Sequence, residues 1–218
     1  PDPTLKRGLL PDTDWISVFK EHFKAFRMNR YVQIVPDWEA TDRDRNDPGT
    51  IVVEPGQAFG TGLHPTTALA AEYIVEYCID HPGCSLLDAG TGSGILSLVA
   101  LKHGAADVSG FDIDPLCSDA IHHHLALNGR TGHDIRAFIG GHNALRKGGR
   151  TDLVVINIIE TIIRRMLPDM KGWIGNRLVL SGILERDALD FEQFLASQGI
   201  TVLDSRTRSE WIAYLCEC

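Results

Sequence analysis

Two periods of apolar and polar residues organise the chain. Trp15 to Phe26 (WISVFKEHFKAF) sets apolar residues at roughly helical spacing, and Tyr31 to Val35 reads as a short strand. Thr41 to Pro48 (TDRDRNDP) is a polar, highly charged loop and the best boundary. It separates a lead-in, residues 1–48, carrying the remnant of a linker, from a body at 49–218. From Ile51 the pattern becomes alternating. Thr66 to Ile79 suits a helix, with Pro65 just before it as a start signal. Ser85 to Asp88 reads as a buried strand, Gly94 to His103 as a helix and Asp107 to Asp112 as a strand. Pro115 to Leu127 reads as a helix ended by Asn128-Gly129.

The order then repeats. Arg136 to Ile139 and Asp152 to Ile156 are predicted strands, followed by a helix near Glu160 to Leu167. Arg177 to Ser181 is a strand and Asp187 to Gln198 a helix. Two strands, Thr201 to Ser205 and Trp211 to Cys216, close the chain around a polar turn (RTRSE). Strands alternating with helices, then a terminal hairpin, describe an α/β doubly wound, mostly parallel sheet with one antiparallel element. In such sheets ligands sit outside the carboxyl ends of the strands, where the strand order reverses.

Composition narrows the function classes. The 218 residues are 44% hydrophobic and 23% charged, ordinary for a globular chain and enough for a buried core. There are no repeats, and the apolar runs are too short to span a bilayer. The formal net charge of -8 disfavours a nucleic-acid partner, which usually wants a basic face, and suits a basic protein or peptide. Cys78, Cys84, Cys117, Cys216 and Cys218 are odd in number, scattered and without a CxxC pair, which reads as reduced thiols of a cytoplasmic protein. The chain begins at Pro1 without a methionine or signal segment, as expected of a trimmed terminus or one domain of a longer protein.

Glycines are frequent, 21 of 218, and their placement is informative. Asp88-Ala89-Gly90-Thr91-Gly92-Ser93-Gly94 ends a strand and opens a helix. Gly90, Gly92 and Gly94 let the backbone turn sharply and approach a ligand closely. Ile95 stands where a dinucleotide fingerprint wants a small residue, which weakens a dinucleotide-oxidoreductase reading. Asp88 suits a ligand with a cationic amino group, such as the methionyl part of S-adenosylmethionine, and would repel a pyrophosphate. Asp112, about 18 residues beyond Gly94 at the next strand end, is placed to bind ribose hydroxyls. Asp114, just before Pro115, fits a helix-capping role better.

Glu54 to Thr67 (EPGQAFGTGLHPTT), DAGTGSGIL, FDIDP, VVINII, the later LSGIL and Glu210-Trp211 together resemble the PrmA family, methyltransferases of ribosomal protein L11. The resemblance runs from about Trp15 to Cys216. It implies a class I S-adenosylmethionine-dependent methyltransferase fold, with a seven-stranded sheet, acting on amino groups of a ribosomal protein. By position it implies that Thr67, Gly90, Asp112 and Asn157 contact cofactor and that Phe59, Gly60, Thr61 and Gly62 form a covering loop. On the reading of the residues themselves, Asn157 is the candidate catalytic residue, placed to orient the lone pair of a lysine or α-amino group. Family members also carry a small amino-terminal substrate domain on a flexible linker, and little of it precedes Trp15. A related enzyme with another protein or small-molecule substrate, or a cofactor-binding module without turnover, therefore stays open.

The residues themselves support an aliphatic amine. Asn157-Ile158-Ile159-Glu160 stands where many amino-methyltransferases carry Asn-Pro-Pro-aromatic, and no aromatic is present to stack on a nucleobase. Arg136 to Gly149 should run past an adenine, with His142 or Asn143 in place of an acidic partner. His64 is expected to be structural, and Glu160 a first-turn helix acid. Three adjacent histidines, His122-His123-His124, fan out around a helix, so no metal site is expected there. Arg164 and Arg165 could meet an acidic substrate or simply face solvent.

Overall fold

The computed structural model describes residues 23–54, 62–145 and 149–218. Ten strands and six α-helices run through these residues: β1 (Phe26–Arg27), β2 (Gln33–Pro36), α1 (Asp42–Asn46), β3 (Thr50–Val53), α2 (Pro65–Asp80), β4 (Ser85–Ala89), α3 (Ile95–Lys102), β5 (Asp107–Asp112), α4 (Leu116–Leu127), β6 (Ile135–Ile139), β7 (Thr151–Asn157), α5 (Glu160–Met170), β8 (Ile174–Leu184), α6 (Ala188–Ser197), β9 (Thr201–Arg208) and β10 (Trp211–Glu217). The main sheet has the order β6-β5-β4-β7-β8-β10-β9. Its pairs are parallel except those of β10, which lies antiparallel between β8 and β9. This is the class I S-adenosylmethionine-dependent methyltransferase fold expected from the sequence.

Central strands buried on both faces read as continuous apolar runs, and their alternate residues feed two separate cores. Leu86, Leu153, Val155 and Val179 point into one core, which α2, α3 and α4 cover. Leu87, Val154, Ile156, Leu178 and Leu180 point into the other, under α5 and α6. Helix α2 has eleven buried residues and little amphipathic character because it is enclosed between the sheet, α3 and the carboxyl-terminal hairpin.

Several boundaries move. The described part of the lead-in is continuous with the body, since β2 pairs in parallel with β3 across the expected boundary. Asn128, expected only to stop a helix, makes this attachment. Its buried amide accepts from Val52 N (2.9 Å) and donates to Val52 O (2.7 Å), acting as a strand edge for β3. Thr41 to Pro48 is not all loop: Thr41 and Asp44 form a capping box that starts α1. The predicted helix at Trp15 to Phe26 lies mostly outside the described residues, and Phe26 itself is in β1. Helix α5 continues past Pro168 to Met170, whose fully buried side chain anchors the last turn. The polar turn contracts to Ser209-Glu210, with Ser209 at φ 56, because β9 extends to Arg208.

Four of the five cysteines are buried, and none of the five forms a disulfide. Burial pushes the Cys117 and Cys216 thiols up to about 12, which keeps them protonated and unreactive. Among the described residues no helix is long and apolar enough to cross a membrane.

Candidate functional site

Strand order reverses between β4 and β7, so the chain leaves these neighbours in opposite directions and opens a crevice at their carboxyl ends. Gly90 follows β4 and Asn157 ends β7. A cavity of about 780 Å³ lies there, within the range of small-molecule sites. Gly90, Gly92, Asp112 and Asn157 line it, as do Phe111, Ile113, His142, Met166, His64 and Trp211.

The glycine loop is a backbone cradle. Gly90, Gly92 and Gly94 have φ values of 76, 53 and 77, conformations that favour glycine. Gly90 N and Thr91 N donate to Phe111 O, tying the loop to β5. Asp112 then clamps it from the side, with one carboxylate oxygen accepting from Gly92 N (2.9 Å) and the other from Asp114 N (3.0 Å). An ionised carboxylate offers about four acceptor sites, so capacity remains toward the cavity for a vicinal diol. Asp114 accepts from Leu116 N at 3.0 Å and caps α4, as its place before Pro115 implied.

Asp88, expected to face a ligand amine, does not line the cavity. Its side chain turns into the interior, buried to 1%, and is absent from the cavity wall. One oxygen accepts from Thr91 Oγ1 and Ser97 Oγ, each at 2.8 Å, so the carboxylate shapes the loop from beneath. Burial pushes the carboxyl up to about 6 against these hydrogen bonds. Because the folded state then holds the proton more tightly than the unfolded chain, this group favours folding most at acid pH. Its contribution declines as pH rises from about 4 to about 6, by about 3 kcal/mol for two pKa units. Denaturant titrations of Asp88→Asn and the parent between pH 4 and 7 should therefore diverge, the parent losing stability relative to the variant. Parallel curves would remove the charge from this account.

Other expected contacts also turn inward. Thr67 is 1% exposed and stands behind Asn157, whose Nδ2 donates to Thr67 Oγ1 at 3.4 Å. It acts on the cavity through Asn157. Gly94 packs on Ile121, and Gly62 on Ile34 and Ile95; neither lines the cavity. Phe59, Gly60 and Thr61 lie outside the described residues. His64 caps α2, accepting at Nδ1 from Thr66 N, and meets Trp211 edge to face at 4.9 Å. His142 lines the cavity and pairs through Nε2 with Asp169 (3.2 Å), whereas Asn143 does not line it. Arg164 is held by Glu160 and Asp190, while Arg165 faces the cavity.

The cavity lining thus falls into two chemically distinct groups. Phe111, Ile113 and Met166 are apolar and, with Asp112, form a group suited to a planar base on a ribose. The second group, Asn157, Thr66, Gly182, His64 and Trp211, contributes one amide, held by Thr67. Phe111 and Ile113 were within reach of sequence reasoning because they flank Asp112. Met166 carried no signal of its own, and Gly182 was marked only as part of LSGIL, without a role, since both places depend on how α5 and β8 pack.

Residues 2–217 match the family described as ribosomal protein L11 methyltransferase (PrmA). A ribosomal protein L11 methyltransferase of Geobacillus thermodenitrificans is 32% identical over 94% of this chain and 65% of its own length. One from Myxococcus xanthus is 34% identical, over 97% of this chain and 72% of its own length. The crystal structure of ribosomal protein L11 methylase from Lactobacillus delbrueckii subsp. bulgaricus superposes with a TM-score of 0.78 at 30% identity, covering 89% of this chain and 98% of that one. The chain therefore spans about two thirds of the length of the curated relatives it matches.

Proposed function

The chain belongs to the PrmA family of ribosomal protein L11 methyltransferases, and from that premise we propose that it is a cytoplasmic S-adenosylmethionine-dependent protein N-methyltransferase. Its acceptor is a lysine or α-amino group, most simply of ribosomal protein L11. The observation that carries this reading is one cavity joining the Gly90–Asp112 cradle to Asn157.

The residues present fit the cofactor. Asp112 retains acceptor capacity for the ribose hydroxyls, Phe111, Ile113 and Met166 would enclose the adenine, and backbone at Gly90 and Gly92 allows close approach of the methionyl portion. When bound, the cofactor supplies an electrophilic methyl group on a sulfonium. The protein's part is to deliver a neutral amine in line with it. A lysine has a reference pKa of ~10.4, and the apolar faces of Ile159 and Trp211 favour its uncharged form. The amide of Asn157, held by Thr67, accepts an N–H and turns the nitrogen lone pair toward the methyl group. Trp211 and His64 confine the alkyl stem, and no nucleobase-stacking aromatic follows Asn157. The net charge of -8 agrees with a basic protein partner, without a membrane or nucleic-acid surface.

Calorimetry separates this cofactor from a dinucleotide. The chain should bind S-adenosylhomocysteine and show no comparable heat with NAD. Tight NAD binding with no response to S-adenosylhomocysteine would overturn the assignment.

A further inference from the structure

We infer that Gly90 and Gly182 form a two-sided seat for Ile158, which makes Gly182 a positioning residue for Asn157. This rests on the reading of Asn157 as the group that orients the amine. Strands β4 and β8 flank β7 in the sheet. As the chain leaves β7 at Asn157 it passes Ile158 and Ile159 before α5 begins at Glu160. Ile158 therefore settles between a residue after β4 and one within β8.

The two contacts differ in kind. A Cβ added at Gly90 would lie 2.6 Å from Ile158 Cγ2, the end of a side chain. A Cβ added at Gly182 would lie 2.1 Å from Ile158 O and 2.7 Å from its carbonyl carbon, which is backbone. Both glycines have positive φ, 76 and 95. At Gly90 the neighbour can yield by trimming or rotating a methyl group. At Gly182 the peptide itself must move, and Asn157 is bonded to that peptide. Close packing leaves little room to absorb such a shift elsewhere. Misplacing a substrate-orienting group by about 1 Å can cost on the order of a hundredfold in rate. The strand that carries Gly182 thus fixes the height of the amine site from below, although it contributes no reacting group.

The test is a pair of double-mutant cycles, Gly90→Ala and Gly182→Ala, each with and without Ile158→Ala. Melting and S-adenosylhomocysteine calorimetry are read first, then kcat and KM for transfer to ribosomal protein L11. For Gly90→Ala, adding Ile158→Ala should recover part of the lost stability and S-adenosylhomocysteine affinity, because it removes the atom that clashes while the strain of positive φ remains. For Gly182→Ala it should recover neither stability nor rate. Gly182→Ala alone should lower kcat on the order of a hundredfold, with S-adenosylhomocysteine affinity near the parent. Equal rescue of both glycine variants, or rescue of neither, would overturn the seat. So would a Gly182→Ala protein that loses cofactor affinity and kcat in proportion. Should Gly182→Ala not fold, recovery of Gly90→Ala by Ile158→Ala supports the seat and its absence refutes it. A parent protein that methylates no amine would sink the functional reading alone, because the melting and binding cycles still decide the seat.

Discussion

Asn157→Ala should lower kcat for methyl transfer by roughly a hundredfold to a thousandfold, because the group proposed to orient the amine is gone. Affinity for S-adenosylhomocysteine should fall by less than about tenfold, the worth of one neutral hydrogen bond. The asymmetry follows from geometry. The amide ends β7, lines the cavity together with Trp211 and His64, and is steadied by Thr67, whereas the proposed adenosine contacts come from β5 and the glycine loop. Thr67→Val, which keeps the shape and removes the hydroxyl, should show a smaller loss of the same kind. Single-turnover kinetics beside calorimetry gives both quantities. An Asn157→Ala protein with parental turnover would take the catalytic role away from this residue.

The second large effect is on binding. Asp112→Ala should weaken S-adenosylhomocysteine on the order of a hundredfold, the equivalent of about 3 kcal/mol for hydrogen bonds to a charged group. Two losses combine in it. The ribose would lose its acceptor, and Gly92 N and Asp114 N would lose the carboxylate that holds the glycine loop against β5. Asp112→Asn keeps an acceptor oxygen without the charge and should fall between. Equal affinity in the parent and Asp112→Ala would mean that the adenosine lies elsewhere.

Much of this architecture was readable from local signals. Gly90, Gly94, Pro65 and Gly129 sit where the chain changes element, and apolar runs such as Leu86-Leu87 and Val154-Val155-Ile156 mark strands buried on both faces. The insertion of β10 between β8 and β9 was not readable, because strand pairing is a tertiary choice that periodicity does not encode. The helix end at Pro168 misled for a similar reason: burial of Met170 outweighs the missing N–H.

The site divides along the same line. A motif joins residues that touch a ligand to residues that shape the loop, and sequence does not separate them. Gly90, Gly92, Asp112 and Asn157 reach the cavity. Asp88, Thr67, Gly62 and Gly94 support it from within, through Thr91 and Ser97, through Asn157, and through packing on Ile34, Ile95 and Ile121. Only packing decides which side of the loop each faces. Gly182 is the sharper case, since its importance lies in an atom it lacks.

In the proposed function the cradle and Asn157 serve transfer of a methyl group to an amine. Ribosomal protein L11 incubated with the chain and S-adenosylmethionine, then weighed intact and mapped by fragmentation, tests it most directly. The expected result is a mass rise in whole methyl increments, located on lysine side chains or the α-amino group and lost with Asn157→Ala. Methyl groups found on RNA instead, or an unmodified L11 while S-adenosylhomocysteine binds well, would contradict it.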